Sequence, residues 1–237
     1  VRNRKNDRKK ELLKMESGLD TNNNERILVM TSVQAEQEAV LRGLCDSKRF
    51  DVVVAGVGSV AAAISTGSAL RKGNYSLVIN AGIAGGFMNR AKVGSLVVAN
   101  QIIAADLGAE TPEGFLSLDE LGFGSSSIQL DQCLVKRVAN ALHTAGLPVT
   151  TGPVLTVSTV TGTATTANEL ATRVPNAVAE AMEGFGVASS AQAHHLPFIE
   201  IRAISNPVGP RDRDAWQIDQ ALKALEAASS VLLEVFK

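Results

Sequence analysis

The chain has 237 residues, 45% of them hydrophobic and 20% charged, and 23 basic against 24 acidic side chains leave a net charge of −1. That balance argues against a nucleic-acid binder, and no apolar run reaches the roughly 18 residues needed to span a bilayer. Two cysteines, Cys45 and Cys133, neither build a disulfide framework nor match a zinc-site spacing, so a reducing cytoplasm is the simplest compartment.

Residues 1–26 carry eight Lys/Arg against five Asp/Glu and end in the run Asn22-Asn23-Asn24. They read as a disordered or partly helical N-terminal extension without the apolar stretch of a secretory signal. A single domain is expected over residues 27–237. Residues 27–31 form a short apolar strand, and 34–44 a helix with Val40, Leu41 and Leu44 at helical spacing. Strand 52–55 runs into Gly56-Val57-Gly58, followed by an Ala-rich helix over 60–70. Strand 76–80 runs into Ala81-Gly82-Ile83-Ala84-Gly85-Gly86, and 96–105 alternates as a longer strand. The Gly- and Ser-rich stretch 105–127 reads as an irregular loop or flap. A helix over 130–145 stops at Gly146 and Pro148. Then come a strand at 154–157, a helix at 168–173, a short strand after 175–178, a helix at 183–193, a strand at 198–205 and a closing helix at 215–236. Alternating strands and helices predict an α/β fold: three αβα layers, with a mostly parallel twisted central sheet flanked by helices. With one Trp, one Tyr and seven Phe, the core must be built from Ala, Val, Leu and Ile.

The glycine pair Gly56-x-Gly58 lacks the third glycine of a dinucleotide fingerprint, and Asn80 stands where an acidic ribose partner would end the next strand. It reads as a tight strand-to-helix turn. No lysine follows either glycine cluster as a P-loop requires. In an open α/β sheet, ligands sit beyond the carboxyl ends of the strands. That rule selects Gly82 to Gly86, the segment after Ala179 and the residues after Ser205. Glu36 lies just past the first strand. Glu183 opens an apolar helix, where a carboxylate is either a cap or a ligand-binding group. Arg202 lies inside an apolar strand and needs a partner there. The histidines His143, His194 and His195 fall on helix ends or surfaces. Neither a nucleophile-elbow serine nor a metal cluster is present, and no cofactor is implied.

In order along residues 27–237, five segments resemble the purine nucleoside phosphorylase/nucleosidase family. They are Ala35-Glu36-Gln37-Glu38, Gly56-Val57-Gly58-Ser59-Val60-Ala61-Ala62-Ala63, Asn80 to Gly86 with Lys92-Val93-Gly94, Ala181-Met182-Glu183, and Arg202-Ala203-Ile204-Ser205-Asn206. The similarity is closest to the hydrolase branch that includes the methylthioadenosine/S-adenosylhomocysteine nucleosidases. Within that branch, residues 155–162 and 204–212 look like the futalosine-cleaving members of an alternative menaquinone pathway. The resemblance implies a nucleoside substrate and water as partners, and a homodimer or homotetramer. Glu36 would deprotonate the attacking water, with Glu38 as the alternative base. Arg202 would lie by the nucleophile, Glu183 would grip the ribose hydroxyls and Met182 would pack on the sugar. Val160 and Thr161 would cradle the base, and Ile83, Ala84 and Gly85 would line the pocket.

Two departures from the family pattern bear on the substrate. Asn206 stands where adenine-specific members carry an aspartic acid. An amide cannot act as an acid, but it can donate to O6 or N7 of a 6-oxopurine, so the site is expected to favour hypoxanthine over adenine. Ile83 replaces a serine near the nucleophile. The segment Thr31-Ser32-Val33-Gln34 also lacks the arginine-bearing loop that a phosphorylase needs, which favours a hydrolase, although Arg90 and Lys92 remain as cations.

Overall fold

The computed structural model describes residues 26–237, so almost all of the expected N-terminal extension lies outside the described residues. Ten strands and seven helices are described. In chain order they are β1 (Arg26–Thr31), α1 (Gln34–Leu44), β2 (Phe50–Val54), α2 (Ser59–Leu70), β3 (Tyr75–Gly86), β4 (Leu96–Ala104), β5 (Gly108–Thr111), β6 (Gly114–Ser117), α3 (Leu118–Leu121), β7 (Ser127–Gln129), α4 (Gln132–Thr144), β8 (Val149–Thr156), α5 (Ala164–Arg173), β9 (Ala179–Ala181), α6 (Gly184–Ala193), β10 (Phe198–Pro207) and α7 (Ile218–Val235). The fold is a mixed α/β sheet with flanking helices. None of the described helices is long and apolar enough to cross a membrane.

The main sheet runs β10-β4-β8-β9-β3-β1-β2, with β7 on β4 and an additional pairing of β10 with β3. That last pairing closes β3, β10, β4, β8 and β9 into a ring, a feature that the periodicity of single strands does not encode. The ladders are of both kinds. Those of β1 with β2 and β3, of β10 with β3, and of β8 with β4 and β9 are parallel. Those of β10 with β4, β3 with β9, and β4 with β7 are antiparallel.

One strand differs from its expected length in a way that matters. The glycine cluster does not follow β3 as a turn; it is the second half of the strand. Gly82 to Gly86 pair with β10, and Gly85 and Gly86 also pair with β9, so the cluster is built into the sheet. One edge of β3 pairs with β1 as far as Asn80 and with β9 from Gly85 onward. Between them, residues 81–84 have no strand beside them on that edge.

Residues 105–127 differ too. They hold the hairpin β5–β6, whose register Thr111↔Gly114 leaves Pro112-Glu113 as its two-residue turn, and then the short helix α3. Composition hid this, because the glycines and serines are turn and cap residues of small elements.

The core is aliphatic, as the scarcity of aromatics requires. Leu28, Ile79, Val97, Ile199, Ile201 and Ile204 are buried in the central strands. The helices pack in two groups, α1 and α4 against α7, and α2 against α6. At Gly43 the backbones of α1 and α7 approach so closely that a Cβ would stand 2.2 Å from the Glu226 carbonyl oxygen and 2.6 Å from Ser229 Cβ. Elsewhere in a helix, alanine would be preferred to glycine by about 0.5–1 kcal/mol. Here overpacking prevails, and we expect Gly43→Ala to destabilise the fold by about 1–3 kcal/mol in chemical denaturation. An unchanged or raised unfolding midpoint would show that the two helices can separate without loss.

Candidate active site

A cavity of about 500 Å³ opens where the carboxyl ends of β1, β3, β8, β9 and β10 converge, and its lining includes Glu36, Ile83 to Gly85, Val160, Thr161, Glu180 to Glu183 and Ser205-Asn206. This is the sheet end at which ligands are expected in α/β folds.

Glu36 is placed by the start of α1. At the third helical position its carboxylate reaches back to the helix entrance, where Oε2 accepts from Ser32 N (2.8 Å), Ser32 Oγ (2.5 Å) and Val33 N (3.2 Å). Oε1 accepts from Ile83 N at 2.8 Å, on the part of β3 left without a neighbouring strand. A side chain 2% exposed is thus held by four donors and still faces the cavity. Glu38, the alternative base, turns to the surface and accepts from Gln34 Nε2 at 2.8 Å.

Behind the cavity wall lies a buried ionic cluster. Arg202, 0% exposed, donates from Nε to Glu200 Oε1 at 2.6 Å and stands 3.5 Å from Glu183 Oε2 through Nη2. Burial alone would lower the Arg202 pKa, but Glu200, Glu183 and Glu36 together hold it above its ordinary value, so the guanidinium stays charged. Burial pushes the Glu200 carboxyl up, against the pull of Arg202 and a 3.3 Å bond from Asn80 Nδ2. Two glycines leave room for the cluster. A Cβ on Gly82 would lie 2.6 Å from Arg202 Nη1 and 2.7 Å from Glu36 Oε1, and one on Gly184 would lie 2.4 Å from Glu200 Oε2.

Glu183 precedes α6 but caps nothing with its side chain. Instead Oε1 accepts from Gly58 N at 3.2 Å and Oε2 from Met182 N at 3.4 Å. Gly56 and Gly58 have φ of 87° and 92°, values that a residue with a Cβ rarely adopts. The glycine pair is therefore the expected tight turn, and it also delivers an N–H to Glu183.

Asn206 ends β10. Its Nδ2 donates to the Pro207 carbonyl at 3.0 Å, and its Oδ1 accepts from Ser205 Oγ at 2.8 Å. A carbonyl only accepts, so the amide nitrogen must lie on the Pro207 side, with its second N–H left to donate. Glu180 accepts from Thr161 N at 2.9 Å and from Thr161 Oγ1. Burial raises its pKa, the Thr161 bonds oppose that shift, and Asp106 adds to it.

Of the residues expected in the site, Glu36, Ile83, Ala84, Gly85, Val160, Thr161, Met182, Glu183 and Asn206 all line the cavity. Arg202 does not; it stands behind the wall, 3.5 Å from the Glu183 carboxylate. Reasoning from sequence missed Glu180, although an acid in the apolar run Ala177 to Ala181 was a visible signal. It also missed Ser32, Val57, Val208 and Trp216, which carry no signature outside the fold. A larger groove, about 1160 Å³, lies between β5–β6 and α5, where Arg173 stacks 3.7 Å over Phe115. None of the buried carboxylates Glu36, Glu180 and Glu183 reaches it.

A family profile described as the phosphorylase superfamily matches residues 22–237. A futalosine hydrolase from Streptomyces coelicolor is 48% identical over 231 residues, covering 89% of this chain and 96% of that protein. A 5′-methylthioadenosine/S-adenosylhomocysteine nucleosidase from Staphylococcus haemolyticus is 27% identical, covering 77% of this chain and 79% of that protein. Among solved structures, futalosine hydrolase of Helicobacter pylori superposes with a TM-score of 0.76 at 18% identity, over 91% of this chain and 98% of that one; at that identity the likeness is one of fold.

The packing at Gly82 generates a test. Gly82→Ala must push Glu36 or Arg202 from its place, and a misplacement of about 1 Å costs roughly a hundredfold in rate. We expect that loss in kcat/KM for the reaction run in this cavity, with far-UV circular dichroism unchanged. Full turnover would show that the two side chains yield without consequence.

Proposed function

The chain belongs to the phosphorylase superfamily, and we propose that it is an N-glycosyl hydrolase that cleaves futalosine with water to release hypoxanthine. The observation that carries the choice of water over phosphate is the setting of Glu36. A phosphate dianion at the end of β1 would need donors and cations. The donors there, Ser32 N, Ser32 Oγ and Val33 N, are already taken by a carboxylate. Arg90 donates to the Ala177 carbonyl instead, and neither Arg90 nor Lys92 lines the cavity.

In this reading Glu36 orients the water and takes its proton as oxygen bonds to C1′ of the sugar. The bond from C1′ to the base breaks, its electron pair leaves with the base, and the base takes a proton from solvent as hypoxanthine departs, while Glu36 returns to solvent the proton it took from the attacking water. Glu183 accepts from the ribose hydroxyls while Met182 packs on the sugar. Asn206 donates to O6 or N7 of the base and so stabilises the charge that develops there, without itself giving up a proton. Glu36, Glu183 and Glu200 face a single guanidinium, so the surroundings are anionic and favour an oxocarbenium-like transition state. Arg213 lines the cavity near Trp216 and would receive the carboxylate of the substrate's tail. We also propose one catalytic domain over residues 27–237, three-layered with a mostly parallel sheet, assembled as a homodimer or homotetramer. The assembly is supported by the apolar face that α2 leaves open, where Val60 is 74% and Ile64 is 66% exposed.

An adenine nucleosidase is the competing reading. It is disfavoured by Asn206 and by the greater distance of the methylthioadenosine-cleaving relative. Incubation with futalosine, methylthioadenosine and inosine, with and without phosphate, separates the readings by the base released. We expect hypoxanthine from futalosine without phosphate, and a loss of about 100- to 10,000-fold in kcat for Glu36→Gln. Phosphate-dependent release, adenine as the preferred product, or a fully active Glu36→Gln would each overturn part of the assignment.

A further inference from the structure

We infer that Glu180 is a specificity residue that accepts the N1–H of a 6-oxopurine, opposite Asn206 across the base. The inference deepens the proposed function and rests on it for the position of the base. It starts from sheet register. Glu180 on β9 and Asn206 on β10 both stand opposite Gly85, on either side of β3. All three line the cavity. The two flanking residues are therefore about two strand spacings apart, roughly 9.5 Å. Between them the strand presents a glycine, so one flat heterocycle can lie over Gly85 with an edge toward each side chain. A Cβ at Gly85 would stand 3.0 Å from Val208 Cγ2 and 3.4 Å from Asn206 Nδ2, so a side chain there would crowd the floor of the slot.

The chemistry of the two walls is complementary to one class of base. Asn206 offers an N–H. Glu180 offers carboxylate oxygens that each hold one bond from Thr161 and keep acceptor capacity toward the cavity. A 6-oxopurine presents acceptors at O6 and N7 and a donor at N1. A 6-aminopurine presents the reverse along that edge, a donor at the 6-position and an acceptor at N1, which would set two acceptors face to face at Glu180. Asn206 alone is an ambiguous reader, because every purine has an acceptor at N7. The carboxylate removes the ambiguity, and Thr161 fixes its orientation.

A merely structural Glu180, one that only anchors the loop at Thr161, would lower the affinity for all bases together. The test therefore reads a ratio. Binding of free hypoxanthine and free adenine is measured by calorimetry on the whole protein, for the wild type and for Glu180→Gln, which keeps the shape but offers an N–H. A hydrogen bond to a charged group corresponds to about ten- to a hundredfold in affinity. We expect the hypoxanthine-to-adenine ratio to fall by that factor in the variant. A second measurement needs no variant: 1-methylhypoxanthine, which lacks the N1–H, should bind the wild type at least tenfold more weakly than hypoxanthine. An unchanged ratio in the variant, or equal binding of the methylated base, overturns the assignment. Turnover of futalosine, measured separately from the binding of free bases, keeps the two claims apart. A Glu180-dependent preference for hypoxanthine in a protein that does not cleave futalosine would sink the proposed function and leave this inference standing.

Discussion

The site depends on one buried positive charge. Arg202 sits in the middle of β10, a strand paired on one side with β3 and on the other with β4, where no water reaches it. An ion in such a place is tolerated only when opposite charges and hydrogen bonds surround it. The structure meets that demand with Glu200 two residues along the same strand, Glu183 at the entrance to α6 and Glu36 at the entrance to α1. Each of these carboxylates comes from a different element, so the charge ties together three segments that are far apart in sequence. Gly82 and Gly184 are further consequences, since any side chain at either would occupy the space of the cluster.

The imbalance of that cluster shapes the chemistry. A single guanidinium faces three carboxylates, and the two that reach the cavity, Glu36 and Glu183, keep oxygen capacity for a ligand. Under the proposed function, the wall they form would repel a phosphate dianion, accept hydroxyl and water protons, and stabilise positive charge that develops on a sugar ring. Rigidity follows from the same bonds. Glu36 is held by Ser32, Val33 and Ile83, so little reorganisation would be required of it in the proposed reaction.

Much of this was legible in the sequence, and the limits were physical. The order and type of the elements followed from apolar periodicity and from glycine and proline breaks, and the helix over Gln34–Leu44 is found at its expected bounds. Nine of the ten expected site residues meet in one cavity because all lie at the same ends of their strands. What periodicity could not supply was the third dimension of the sheet. The closure of β10 onto β3 is a tertiary pairing, and it turned the run Gly82 to Gly86 from a presumed loop into strand. For the same reason Arg202 was expected at the cavity and is found behind its wall: alternation along a strand fixes which face a residue takes only once the two faces are known. The choice between Glu36 and Glu38 was open in sequence for a related reason. Two residues along a helix differ by about 200° in direction, and only the docked helix tells which one points inward.

The scarcity of aromatics, unremarkable as composition, becomes a statement about recognition. Val160, which the family resemblance sets beside the base, offers an aliphatic surface. The single Trp of the chain, Trp216, does line the cavity, but Arg211 lies 5.3 Å over its ring, so one of its faces is engaged by a cation. Stacking rewards any flat heterocycle and distinguishes poorly among purines, whereas hydrogen bonds at buried groups penalise every mismatch. A pocket without aromatic contact at Val160 must therefore draw its affinity from polar groups on the base edge. In the proposed arrangement those groups are Asn206 and Glu180, which flank Gly85 on the strand between them.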